Sequence, residues 1–213
     1  RQDDDDKAIN KVIKKIEDEA DDLDEYKEEM KEYNRLMKKM KEGNGVFDDF
    51  ELMQFWDNDI ADFKKPYHKW GGKEPKIFVL FDDLQGTKLF RPNGKLMSAV
   101  IKHRHLGRGI GCSMAFAIQN FKAQGGLNKA IRGNCTCLML WKTQNQSEKD
   151  AVADEIEGDV SREEFEKAYT YATEEAHSFL TIDFHPKREH LSRLRKKYDE
   201  FIMFEKNEDM EKR

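Results

Sequence analysis

The stretch from Lys76 to Gln119, KIFVLFDDLQGTKLFRPNGKLMSAVIKHRHLGRGIGCSMAFAIQ, decides how the chain is read. Five apolar residues, Ile77 to Phe81, run straight into the neighbouring acids Asp82 and Asp83. A second apolar run, Ile110 to Ile118, ends on Gln119. Apolar runs this short, each closed by a polar residue, predict buried parallel strands with their working groups at the carboxyl edge, where an open α/β sheet binds ligands. Two adjacent carboxylates at one strand tip suit a magnesium nucleotide. The first would hold the metal, largely through its water shell, and the second would orient or deprotonate an attacking water.

At 213 residues the chain has room for one α/β domain and an appendage, and too little for two large domains. Charged residues make up 38% and the mean hydropathy is −0.92, so much of the charge must sit on solvated helices or tails. No apolar run approaches the ~18 residues of a membrane span. Cys112, Cys135 and Cys137 are odd in number and include a C-x-C pair. That argues against a disulfide framework and against a zinc site, and predicts reduced core thiols in an intracellular protein.

The net charge of −5 hides a sharp partition. From Leu84 to Ser147 there is no aspartate or glutamate, although 43 of the 213 residues are acidic. The same window carries Lys88, Arg91, Lys95, Lys102, Arg104, Arg108, Lys122, Lys129, Arg132 and Lys142. Buried strands exclude charge of either sign, but the loops of this window are basic rather than neutral. A surface facing polyphosphate or nucleic acid excludes carboxylates for electrostatic reasons.

Outward from this centre, residues 8–42 predict one long helix, with Ile9, Ile16, Leu23, Met30 and Met37 at heptad spacing and Gly43-Asn44-Gly45 as the stop. A heptad seam with charged flanks predicts a coiled coil or helical hairpin arm over 1–45. Residues 46–75 mix aromatics with acids; Phe47, Phe50 and Leu52 suggest a short helix, and Gly71-Gly72-Lys73-Glu74-Pro75 turns into the central strand. A helix is expected from Lys95 to His103, a short helix or turn over Asn128–Gly133, a strand over Cys135–Trp141 and another over Ser178–Phe184. Ser147 is the expected N-cap of an acidic helix, and Ser161 with Glu164 predicts a capping box. Pro186 is expected to open a basic closing helix with Leu191, Leu194, Tyr198 and Phe201 on one face, and the tail after Asp209 is expected to be disordered. Alternating strands and helices predict an α/β core over 76–185 with a mostly parallel sheet, followed by the closing helix and tail over 186–213.

Two glycine patterns fail as nucleotide motifs. Asn93-Gly94-Lys95 has the Gly-Lys pair of a phosphate loop, but Gly86 is eight residues upstream where the motif needs five, and Leu96 stands where Ser or Thr belongs. Gly107-x-Gly109-x-Gly111 precedes a strand instead of following one, so it is a turn and not a dinucleotide fingerprint.

Several motifs follow one another in order: Phe78-Val-Leu-Phe-Asp-Asp-Leu84, Arg104-His105-Leu-Gly, the strand ending at Gln119, Ala130-Ile-Arg132-x-Asn134, and Tyr169-x-x-Ala172 with His177, Phe179, Leu180 and Asp183. The ordered set, over roughly 76–205, resembles the genome-packaging ATPases of large DNA viruses and virophages, within the FtsK–HerA superfamily of P-loop motors. The resemblance implies a partial P-loop NTPase core of the RecA/ASCE type, ATP and Mg²⁺ as cofactors, and ATP-driven translocation of double-stranded DNA into capsids. It implies Asp82 as the Walker B magnesium ligand, Asp83 as the catalytic acid and Gln119 as the sensor of the γ-phosphate or attacking water. Arg104 and Arg132 match the family's Arg-His and Ile-Arg-x-Asn motifs, and either is a candidate arginine finger, with Arg104 favoured. For Arg132, pairing or turn formation is the competing reading, and for Asp82 it is a strand-end cap. The implied partners are DNA, further copies of the chain in a ring, and capsid or portal-vertex proteins, with no membrane. The implied location is the host-cell cytoplasm, a virus factory or the virion.

One departure stands out. No G-x-x-x-x-G-K-[ST] loop occurs anywhere in the chain. The expectation is a piece of a longer protein whose phosphate loop lies before Arg1. Such a piece would bind ATP poorly and leave part of its sheet unpaired. The alternatives are a cellular or plasmid FtsK–HerA-type DNA translocase, and a non-catalytic module that binds DNA or assembles through its helical arm.

Overall fold

The computed structural model describes residues 2–42, 49, 64–91, 93–122, 127–158, 160–186 and 192–204. The short helix expected around Phe47, Phe50 and Leu52, and the tail after Asp209, lie outside them. The architecture is mixed α/β, with a long amino-terminal helix, a two-stranded parallel sheet and a four-stranded antiparallel sheet. The chain divides into two compact units, Arg1–Phe81 with Lys102–Phe116, and Asp82–Ile101 with Ala117–Arg213.

In the first unit, helix α1 spans Gln2–Lys41, a run without glycine or proline. Its seam is turned inward: Ile9, Ile16, Leu23 and Leu36 are buried, while Met30 and Met37 are half-buried. Ile16 meets the turn at Gly107, and Tyr26 stacks on His68 with ring centroids 5.1 Å apart. The expected arm therefore covers its own unit along much of its length.

Strand β1 is Phe78–Asp82 and strand β2 is Ser113–Ala117. Phe78–Phe81 and Ser113–Phe116 belong to the first unit, whereas Asp82 and Ala117 belong to the second. Ser113 N donates to Ile77 O at 2.9 Å near the start of the pair, and Phe81 stacks on Phe116 at 4.7 Å. Residue alternation turns the backbone groups of Phe78 and Leu80 away from β2. Their side chains are 64% and 58% exposed.

The second unit begins with the turn after β1 and continues into helix α2, Lys95–Lys102, which buries Leu96, Met97, Ala99 and Val100. After β2 come the short helix α3, Lys129–Gly133, and strand β3, Cys137–Trp141. Helices α4, Gln146–Ile156, and α5, Arg162–Ala172, lead to strand β4, Phe179–Asp183. The chain closes with β5, Leu194–Lys196, and β6, Glu200–Phe201. Strand order is β3-β4-β5-β6, with Leu140 opposite Leu180 and Leu180 opposite Lys196. Val152, Ile156, Phe165, Ala168 and Ala172 of the two helices form one core with Leu180, Ile182 and Leu194 of the sheet. Full burial of a side chain such as Phe165 stabilises the unit by about 1.5–3 kcal/mol.

Five expectations need correction. Strands β1 and β2 are not the buried strands expected, because Phe81 alone among their residues is buried. The larger sheet is antiparallel, because two helices separate β3 from β4: a chain running up a strand, down one helix and up the next re-enters the sheet heading down. The closing basic helix is a β5–β6 hairpin over its described part, with Lys197 in a left-handed turn at φ 55°. Asn145, not Ser147, caps α4, its side chain accepting from Ser147 N at 3.1 Å. The capping box of α5 is present, with Ser161 and Glu164 each accepting the other's backbone N–H. Cys112, Cys135 and Cys137 are free, but Cys137 is exposed and is no core residue.

Candidate functional site

Asp82 ends β1 and Asp83 follows it with φ 49°, a left-handed conformation that aspartate tolerates better than most residues. The turn continues through Leu84 O, which accepts from the Thr87 hydroxyl at 2.7 Å. Gln119 stands two residues past the end of the neighbouring parallel strand. Its side-chain Nε2 donates to Asp83 Oδ1 at 3.0 Å. The structure thus brings Asp82, Asp83 and Gln119 to the carboxyl ends of adjacent strands, with the acid and the amide in direct contact.

Two further side chains bind the Gln119 loop. Gln85 Oε1 accepts from Gln119 N at 2.6 Å and from Asn120 N at 3.0 Å, and Gln85 Nε2 donates to Asn120 O at 2.5 Å. Glu148 Oε2 accepts from Phe121 N at 2.5 Å and Lys122 N at 3.1 Å. Four successive backbone N–H groups are therefore held by two side-chain oxygens. The buried Glu148 carboxylate is stabilised by these bonds, without which its burial would be costly. Sequence reasoning missed both residues. Glu148 did leave a trace, as the first acid after the carboxylate-free window.

Asp82 and Asp83 are exposed, and among the described residues no lysine or arginine forms an ion pair with either. Their hard oxygens fit Mg²⁺, which favours one or two carboxylates and keeps waters and phosphate oxygens in its remaining positions. No cluster of three or more His, Cys, Asp or Glu suited to a metal occurs among the described residues. A cation at Asp82 would therefore depend on ligands from solvent or nucleotide.

The arginines are placed differently. Arg132 Nε donates to Glu155 Oε2 at 3.2 Å, and its Nη1 donates to the carbonyl of Leu127. Its guanidinium also lies over the Phe121 ring, 5.6 Å from the centroid. It braces the Gln119 loop from beside, which is the pairing role left open for it. Asn134 Nδ2 closes the same motif by donating to Ala130 O at 2.9 Å. Arg104 belongs to the first unit, in the turn after α2, and is exposed.

Of the window's other cations, Lys88, Arg91, Lys95, Lys122, Lys129 and Lys142 are exposed in the second unit. Arg108 is committed elsewhere, to Asp21 at 2.5 Å and Asp24 at 2.8 Å. A groove of about 740 Å³ lies in the first unit, lined by Val12, Ile16, Trp70, Phe78 and Leu80 among others, and none of the site residues borders it. No helix among the described residues is long and apolar enough to cross a membrane. Compared with known proteins, the chain matches no family model, no curated protein and no solved structure.

Proposed function

We propose that the chain carries the acid and sensor half of an ATP-hydrolysing motor that moves double-stranded DNA, in the manner of viral genome-packaging ATPases with a partial P-loop fold. The observation that carries the reading is the 3.0 Å hydrogen bond from the Gln119 amide to Asp83, beside Asp82 at the ends of parallel strands. The exposed cations of the acid-free window support the DNA part. Assembly as a ring and docking at a capsid vertex rest on the motif resemblance alone.

In this reading Asp82 would hold Mg²⁺, which when bound screens the triphosphate charge. Asp83 accepts the proton of an attacking water or orients that water for in-line approach. Gln119, tethered to Asp83, holds the acid through its amide and senses what binds beside it. Arg104 supplies the cation for a neighbouring copy's nucleotide, since Arg132 is already bound to Glu155 and Leu127. Residues 1–213 contain no phosphate loop, so the chain alone is expected to bind MgATP weakly.

Paramagnetic Mn²⁺ tests the site directly. Amide resonances of Asp82, Asp83 and Gln119 are expected to broaden first on titration, and Asp82→Asn to remove the effect. Broadening spread evenly over the acidic surface would overturn the reading. The missing phosphate loop favours a second reading, a non-catalytic DNA-binding or assembly module. Duplex DNA binding without selective Mn²⁺ broadening would select it.

A further inference from the structure

We infer that Gln85 is a positioning residue that couples the acid turn to the Gln119 loop, so that the Asp83–Gln119 contact forms only while the Gln85 carboxamide spans the two strand ends. The inference rests on the reading of Asp83 and Gln119 as acid and sensor for its purpose, though not for its geometry. Gln85 lies two residues beyond Asp83 and uses both ends of its amide, accepting from Gln119 N and Asn120 N and donating to Asn120 O. The loop is therefore joined to the turn at two levels, side chain of Gln119 to Asp83 and backbone of Gln119 to Gln85.

The second anchor isolates the effect. Phe121 N and Lys122 N bind Glu148, and the Phe121 ring packs on the core of the larger sheet. Loss of Gln85 should free residues 119–120 while 121–122 stay fixed. A carboxamide suits the position because its oxygen accepts while its nitrogen donates, and glutamate, the isosteric carboxylate, can only accept when ionised. In Gln85→Glu the second oxygen would face the Asn120 carbonyl, acceptor against acceptor, at the place now occupied by a 2.5 Å hydrogen bond. A residue needed only to accept N–H bonds would tolerate glutamate.

The test is amide exchange and side-chain amide NMR on the full chain. In Gln85→Met, exchange at Gln119 N–H and Asn120 N–H is expected to rise about tenfold or more, the scale of one lost hydrogen bond. The Gln119 side-chain NH₂ resonance is expected to move to its solvent-exposed position. Phe121 and Lys122 should keep their protection, and Gln85→Glu should behave like Gln85→Met. An unmoved Gln119 side-chain resonance, or full retention in Gln85→Glu, overturns the coupling. If Gln85→Met does not fold, Gln85→Asn, one methylene too short to reach, gives the same two outcomes. The Mn²⁺ titration keeps the two ideas apart. Absence of selective broadening removes the ATPase reading and leaves the coupling standing, whereas selective broadening together with a Gln119 side chain indifferent to Gln85→Met removes the coupling alone.

Discussion

Gly107 lies against the backbone of Ile16 so closely that a Cβ on it would sit 2.7 Å from the Ile16 carbonyl oxygen and 2.9 Å from its Cγ2. The contact joins α1 to the turn before β2, and Gly107 also has φ 53°, a region that side chains disfavour. Steric and conformational costs coincide here. Gly107→Ala is expected to destabilise the chain by about 1–3 kcal/mol, read from the urea midpoint. An unchanged midpoint would show that α1 is not seated on this turn.

The neighbouring acid Glu19 ties α1 to the 68–72 turn, accepting from Lys69 Nζ at 2.8 Å and from Trp70 Nε1 at 2.9 Å. The Lys69 ammonium and then the Trp70 indole hold its carboxyl below the usual carboxylate range. With the native value lowered, the unfolded chain binds more protons. The stability gained is complete above the ordinary glutamate value and is lost as pH falls through the lowered one. The same contact raises Lys69, so the gain is also lost as pH climbs through the raised lysine value. The difference between wild type and Glu19→Gln should be largest near neutrality and shrink at both extremes. A difference that does not vary with pH would exclude the ion pair as its source.

Lys88 opens the short 3₁₀ turn Lys88–Phe90 and Arg91 follows it, and the buried Leu89 and Phe90 hold the turn in place. If these cations touch phosphates, the Lys88→Ala, Arg91→Ala double variant should weaken duplex DNA binding. It should also lower the slope of log affinity against log salt by about 2, roughly one per lost contact. An unaltered slope would place them away from DNA.

The Ser161–Glu164 box starts α5, whose Phe165, Ala168 and Ala172 are fully buried. Ser161→Ala should cost about 1 kcal/mol, seen as a lower thermal midpoint. Glu164→Ala should lose a similar share, and the double variant less than the sum, because each residue caps through the other.

What was legible depended on whether side-chain chemistry matched side-chain burial. Ile77–Phe81 and the largely apolar run ending at Gln119 marked the two strands, their parallel pairing and the meeting of Asp83 with Gln119, although their burial was overestimated, since Phe78 and Leu80 are exposed. The final hairpin was hidden by Lys196. Leu194 and Lys196 are the two buried positions of β5, a period of two, but the second is a lysine whose ammonium reaches Glu175 at 2.9 Å and lies over the Tyr171 ring. With that position scored as polar, Leu191, Leu194, Tyr198 and Phe201 gave a false helical period. The antiparallel sheet was readable in principle from the two helices between β3 and β4. Gln85 and Glu148 were not, because a polar residue's reach to a loop 26 to 35 positions away leaves no local pattern.

The outer side of β1 has a practical consequence. Phe78 and Leu80 expose their apolar side chains on a five-residue strand, with their backbone groups turned away from β2. Concentrated stocks of the polypeptide should therefore cloud and precipitate from that five-residue patch before its net charge of −5 becomes limiting, and a lysine at position 80 should keep them clear.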